Sequence, residues 1–275
     1  MNGARLARAS WAPLPRRRRQ KGFTLLELLI AATVFLIVAG ATFALLGMAQ
    51  QHYQTDSRVL ASFQEARLGI DQIVRDVADA GYPPRNQFSV LPAVNFYAAS
   101  PFAWSAGYPS TPCTIQTTCS TPGDFDLIIE TDVDPQNSNG VEWVRYQLPA
   151  GTTTLLRGVV PKALGDPAAA LSPSVMLPYV TNVMNNAPGA QIAAIQAFYP
   201  AMFPGGNPVP LFAYTCETGG GTPLSCPTAA GFNTPPNILD VEITLIVQAT
   251  AVDAQTGRPR LVELHGRGRR VNPNQ

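Results

Sequence analysis

The sequence predicts an α+β chain in which one long amino-terminal helix, membrane-spanning in its first half and amphipathic in its second, packs on a mainly antiparallel β domain. Three observations carry this expectation. A run of 22 residues without a charged side chain, Leu28 to Ala49, directly follows a cluster of basic residues. From Val59 to Val77 apolar residues then recur at helical spacing. From Pro83 onward, short runs rich in β-branched and aromatic residues alternate with turn residues.

The charge distribution singles out the amino terminus. Seven of the 19 basic residues lie before Phe23 (Arg5, Arg8, Arg16, Arg17, Arg18, Arg19 and Lys21), where no acidic residue is found. From Phe23 onward, 12 basic residues face 18 acidic ones, a formal charge of −6. The basic run alone is compatible with a nucleic-acid patch. Its position before a membrane-length apolar run instead predicts a cytoplasmic anchor under the positive-inside rule, and no nucleic-acid partner is expected.

At about 1.5 Å per residue, the run from Leu28 to Ala49 is long enough to cross a bilayer core. It is apolar all round, unlike the one-sided stripe of a soluble surface helix. An ordinary secretory signal places its cut after the apolar region, beside small residues. Ala39 to Ala44 supplies small residues, but the apolar stretch continues past them.

Lys21-Gly22 is followed by Phe23-Thr24-Leu25-Leu26-Glu27 and then the apolar run. This constellation resembles the class III leader of type IV prepilins and of type II secretion pseudopilins. The resemblance implies that a prepilin peptidase cuts between Gly22 and Phe23 and methylates the new amine of Phe23. It also implies that Glu27 pairs with the terminal amine of a neighbouring subunit during assembly. The residue's own chemistry supports a role, because a carboxylate at the edge of a spanning segment is costly. Glu27 lies four residues after Phe23, one helical turn from the new amine, and a negative charge in a first turn suits the helix dipole.

Beyond the span, Val59, Phe63, Ala66, Ile70, Ile73 and Val77 form one apolar stripe. Asp56, Arg58, Glu65, Arg67, Asp71 and Asp76 fall mostly off it, and Gly81 followed by Pro83-Pro84 ends the helix. A helix from about Thr24 to Ala80 is on the order of 85 Å long, with Gly40 and Gly47 as points of looser packing. The stretch Ile70 to Tyr82, with Arg75 and a closing Ala80-Gly81-Tyr82, resembles the helix end of minor pilins of the PilW type and of J-type minor pseudopilins.

In the β region, strands are expected over Phe125 to Thr131, Val141 to Leu148 and Thr153 to Val160. The first two are joined by a loop containing Asp134, Pro135, Asn137, Asn139 and Gly140. The stripe from Val59 to Val77 is the natural cover for this meander. Val175 to Val183 reads as a strand followed by a loop, and Gln196 to Tyr199 and Val209 to Tyr214 as short apolar pieces. Ile238 to Ala251 is the strongest strand signal, paired with Arg260 to His265 across a polar turn from Asp253 to Pro259.

The four cysteines fall into two local pairs, Cys113 with Cys119 and Cys216 with Cys226, although three connectivities are open. Local disulfides suit a domain beyond the membrane in an oxidising compartment. Neither spacing is that of a zinc knuckle. Asp124, Asp126, Asp132 and Asp134 raise calcium as an alternative, without EF-hand spacing. His52 and His265 read as exposed polar residues. No catalytic signature is present, so neither an enzyme activity nor a cofactor is expected. Phe96, Tyr97, Phe102, Trp104 and Tyr108 read as locally packed or as part of a solvent-facing binding loop.

The expected organisation is therefore a removed leader over 1–22, a transmembrane helix over 23–49, an amphipathic helix over 50–82 and a mainly β domain over 83–275. The resemblance implies a pilin-like fold and a minor pilin in type IV pilus assembly, at initiation or in a tip complex. A J-type minor pseudopilin of a type II secretion system is the alternative. Its implied partners are prepilin peptidase, other minor and major pilins or pseudopilins, and the inner membrane, with the carboxy-terminal domain in the periplasm.

Overall fold

The computed structural model describes residues 22–137, 140–252 and 257–272. The basic residues from Arg5 to Lys21, Asn139 of the expected loop and Asp253 of the expected turn lie outside the described residues. The chain divides into two compact units, residues 1–51 and 52–275. Helix α1 (Leu25–Asp79) begins in the first unit and ends in the second.

Within the second unit, the buried residues of α1 are Val59, Ala66, Gly69, Ile70, Ile73, Asp76 and Val77. The apolar members follow the 3.6-residue period read in the sequence. Phe63 is half-buried, and Asp56, Arg58, Glu65, Arg67 and Asp71 face solvent. Asp76 departs from the expectation: it sits on the buried face, held by polar partners. Gly81 ends the helix with φ of +82°, a left-handed conformation that glycine adopts without a Cβ penalty, and its amide donates to Glu130 O at 2.8 Å.

The β region forms two antiparallel sheets. The first has five strands in chain order: β1 (Phe102–Ala103), β2 (Asp126–Thr131), β3 (Glu142–Gln147), β4 (Leu155–Pro161) and β5 (Leu177–Val180). A short helix α2 (Pro167–Ala170) lies between β4 and β5, and helix α3 (Gly189–Gln196) follows β5. The second sheet contains β6 (Phe212–Glu217), β7 (Pro223–Ser225), β8 (Ile238–Val252) and β9 (Pro259–Arg269), in spatial order β7-β6-β8-β9.

One core joins α1 to both sheets. Ala66, Ile70, Ile73 and Val77 pack with Leu127, Ile129, Val144 and Tyr146 of the first sheet and with Val241, Ile243 and Leu245 of the second. Burying an aliphatic side chain of this size contributes roughly 1.5–3 kcal/mol. Along β8, Val241, Ile243, Leu245 and Val247 alternate into this core. On its other face, Ile246 joins a smaller cluster with Met184, Ile192, Ile195 and Phe203, in which α3 is the covering element.

Several boundaries differ from the sequence expectations for physical reasons. β9 continues past His265 to Arg269, through a Gly-Arg-Gly-Arg stretch with little strand propensity. Those glycines allow α1 to approach: a Cβ on Gly268 would lie 2.7 Å from Val77 Cβ, and one on Gly266 would collide with Ile70. The residues around 175–183 form only the four-residue β5, and Gln196 is the last residue of α3 rather than part of a separate apolar piece. Helix α3 has no stabilising N-cap side chain, and its few residues give periodicity little room to show.

Buried charges tie the first sheet together. Arg145 of β3 binds Asp126 of β2 at 2.5 Å and donates to the carbonyls of Ala168 and Leu171. Glu130 is wholly buried and accepts from the Lys162 ammonium, the Tyr108 hydroxyl and the Ala99 amide. Burial pushes the Glu130 carboxyl up, while Lys162, Tyr108 and the amide pull it down.

Candidate functional site

The amino-terminal segment is the region to which the sequence assigns chemistry. Gly22, Phe23 and Thr24 precede the first turn of α1, and Phe23 is 88% exposed. Thr24 and Glu27 form a reciprocal cap. The Glu27 amide donates to Thr24 Oγ1 at 3.2 Å, and the Thr24 amide and hydroxyl each donate to Glu27 Oε2 at 3.0 Å. This is the capping box of a Thr-x-x-Glu sequence, which satisfies amide groups that a helix start leaves without partners.

The geometry refines the expectation for Glu27. Its carboxylate is engaged with Thr24 rather than with Phe23. All the bonds use Oε2, so Oε1 has no hydrogen-bond partner among the described residues. Glu27 thus caps its own helix through Oε2. The Thr-x-x-Glu spacing is itself the sequence signal of this cap.

From Leu25 onward α1 is long and apolar enough to cross a membrane. Its side chains in the first unit are almost all exposed, including Leu28, Leu29, Ile30, Phe35, Leu36, Ile37, Phe43 and Leu45. The polar side chains in this run are internally satisfied: Thr33 Oγ1 donates to Leu29 O at 2.7 Å and Thr42 Oγ1 to Val38 O at 2.8 Å. Such back-bonding removes the cost of placing a free hydroxyl in hydrocarbon. The helix is continuous through Gly40 and Gly47.

The remaining candidates lie in the second unit. The structure closes Cys113 to Cys119 and Cys216 to Cys226, with Cα–Cα distances of 5.0 and 4.8 Å. Asp124 and Asp126 are engaged by Gln116 and Arg145, and Asp134 by Asn137. Among the described residues, no group of three or more His, Cys, Asp or Glu side chains is arranged to hold a metal ion. His52 is exposed, as is His265, whose Nδ1 lies 3.3 Å from Thr244 Oγ1. Phe102 and Trp104 are buried, and Tyr108 stacks edge-on against Trp104 and Trp143. Phe96 is the most exposed of the aromatic group, at 42%.

A polar cluster missed by the sequence reading sits where α1 meets the first sheet. Asp76 Oδ2 accepts the Tyr146 hydroxyl at 2.5 Å and Arg157 Nη2 at 3.1 Å, and Oδ1 accepts Gln72 Nε2 at 2.6 Å. Burial, and then the facing Asp76 carboxylate, hold the Tyr146 phenol well above the usual tyrosine range.

Residues 17–43 match the family model described as the prokaryotic N-terminal methylation motif. No curated protein and no solved structure matches the chain. The matched segment contains Gly22, Phe23, the capping pair Thr24 and Glu27 and most of the apolar run. The chain therefore carries a prokaryotic N-terminal methylation motif over residues 17–43, at the start of a long helix that leads into a mainly antiparallel β domain.

Proposed function

We propose that the chain is a minor pilin that acts in type IV pilus assembly, at initiation or within a tip complex. A prepilin peptidase cuts between Gly22 and Phe23 on the cytoplasmic side and methylates the Phe23 amine. Residues 23–49 then hold the protein in the inner membrane, with the β domain in the periplasm. Assembly transfers the helix from lipid into a bundle of pilin helices, while the β domain contacts partner subunits.

The observation that carries this reading is the placement of Glu27 within the methylation motif, at the start of an otherwise uncharged span. One oxygen caps the helix and the other remains for the amine of a neighbouring subunit. The two disulfides fit an oxidising periplasm. The test is Glu27→Leu in cells that make pili. Membrane insertion should persist while incorporation into the filament is lost, and normal incorporation would contradict the role of the carboxylate. Native co-purification with secretion pseudopilins instead of pilins would move the chain to the J-type reading.

A further inference from the structure

We propose that the cleft between α3 and the β8–β9 pair is a binding site for a neutral polyhydroxylated ligand, a saccharide unit. The cleft has a volume of about 320 Å³, within the range of small-molecule sites. Met184, Ile195 and Phe198 supply its apolar surface, and Thr153, Asn182, Gln191 and Gln248 its polar surface. The proposal is independent of the amino-terminal motif, because every one of these residues belongs to the second unit.

The walls are fixed by backbone bonds drawn from several elements. Val183 N donates to Thr153 O at 2.8 Å, Met184 N to Ile246 O at 2.8 Å and Gln248 N to Asn182 O at 2.9 Å. The wholly buried Asn185 locks the same turn. Its Nδ2 donates to Thr244 O at 2.8 Å and Val209 O at 3.2 Å, and its Oδ1 accepts from Ile246 N at 2.8 Å. Asn182 adopts φ of +59°, in the left-handed region that few residues other than glycine enter. A site assembled in this way loses little freedom when it binds.

The polar ends that line the cleft are available by contrast. Thr153, Gln191 and Gln248 form no side-chain hydrogen bond among the described residues, and Asn182 has one long contact of 3.4 Å to Thr181. A carboxamide presents both donor and acceptor, as does a hydroxyl, which matches the donor-and-acceptor character of sugar hydroxyls. Among the described residues that line the cleft no side chain is charged, and the neighbouring Arg258 guanidinium is engaged over the Phe198 ring. Phe198, 46% exposed and with the Arg258 guanidinium over its ring 5.1 Å from the centroid, adds apolar surface at the rim of the cleft.

The test uses the full chain purified in a zwitterionic detergent without a sugar headgroup. It is probed on an array of neutral oligosaccharides, and binding is then quantified by titration in solution. Binding to a neutral saccharide is expected, with affinity reduced about tenfold or more in Gln248→Ala and in the surface variant Gln191→Ala. Both variants should keep the parent melting temperature. An array without neutral ligands, selective binding of acidic glycans or peptides, or saccharide binding unchanged in the Gln191→Ala/Gln248→Ala double variant would each overturn the proposal.

Discussion

The Asp76 carboxylate of α1 accepts the Tyr146 hydroxyl of β3 at 2.5 Å, across 70 residues of sequence, and Arg157 of β4 reaches both groups. This contact sets the rotation of the helix against the first sheet. Replacing Asp76 with Ala leaves the Tyr146 hydroxyl proton without its acceptor and removes the counter-charge of Arg157, whose Nε keeps only the Tyr146 oxygen. The expected loss is about 3 kcal/mol of domain stability. Asp76→Asn, which retains an acceptor, should lose less. Denaturant unfolding followed by tryptophan fluorescence checks both, since Trp104 and Trp143 are buried. Equal losses in the two variants would contradict the hydrogen-bonding account.

Close approach between α1 and β9 yields a second prediction. Because a Cβ on Gly268 would lie 2.7 Å from Val77, Gly268→Ala should destabilise the domain by about 1–3 kcal/mol. Val77→Ala removes the opposing methyl groups and costs stability by leaving a cavity. The double variant should lose less than the sum of the two, because truncation at position 77 removes the 2.7 Å contact to Cγ1, although the contact to Cβ remains. Strict additivity in the same unfolding assay would show that the two positions do not meet.

Glu142 supplies a pH dependence. Burial raises its carboxyl, the Val133 amide pulls it down, and the nearby Asp132 and Asp134 carboxylates raise it again, with a net upward shift. The native state then binds the proton more tightly than the unfolded chain. This stabilisation is complete below the ordinary glutamate value of 4.5 and is lost as pH rises through the higher native value. Glu142→Gln keeps an acceptor for the Val133 amide and abolishes the titration. Its advantage over the parent should therefore grow as pH rises from about 4 to about 8, with the unfolded carboxylate range as the lower limit. Parallel stability curves for the two proteins would contradict it.

Much of this architecture was legible in the sequence because it rests on period and punctuation. The α1 stripe, its stop at Gly81 and the central strands β2, β3 and β8 follow from hydrophobic spacing and turn residues. Asp76 was not legible in that way, because a charged residue reads as solvent-facing until its partners on β3 and β4 are placed beside it. The end of β9 was hidden for the opposite reason: Gly266 and Gly268 lower strand propensity, yet their missing side chains admit the helix. At the amino terminus the motif residues were legible, but the split use of Glu27, one oxygen for the cap and one open, required coordinates.

We propose that Gly22-Phe23 is a processing junction whose cleavage creates the assembling form of the protein. Intact-mass and amino-terminal peptide mass spectrometry of the chain from peptidase-competent cells measures it most directly. The predicted result is a chain that begins at Phe23 and carries one methyl group on its amine. An amino terminus that still includes Met1 to Gly22, or a cut at any other position, would contradict it.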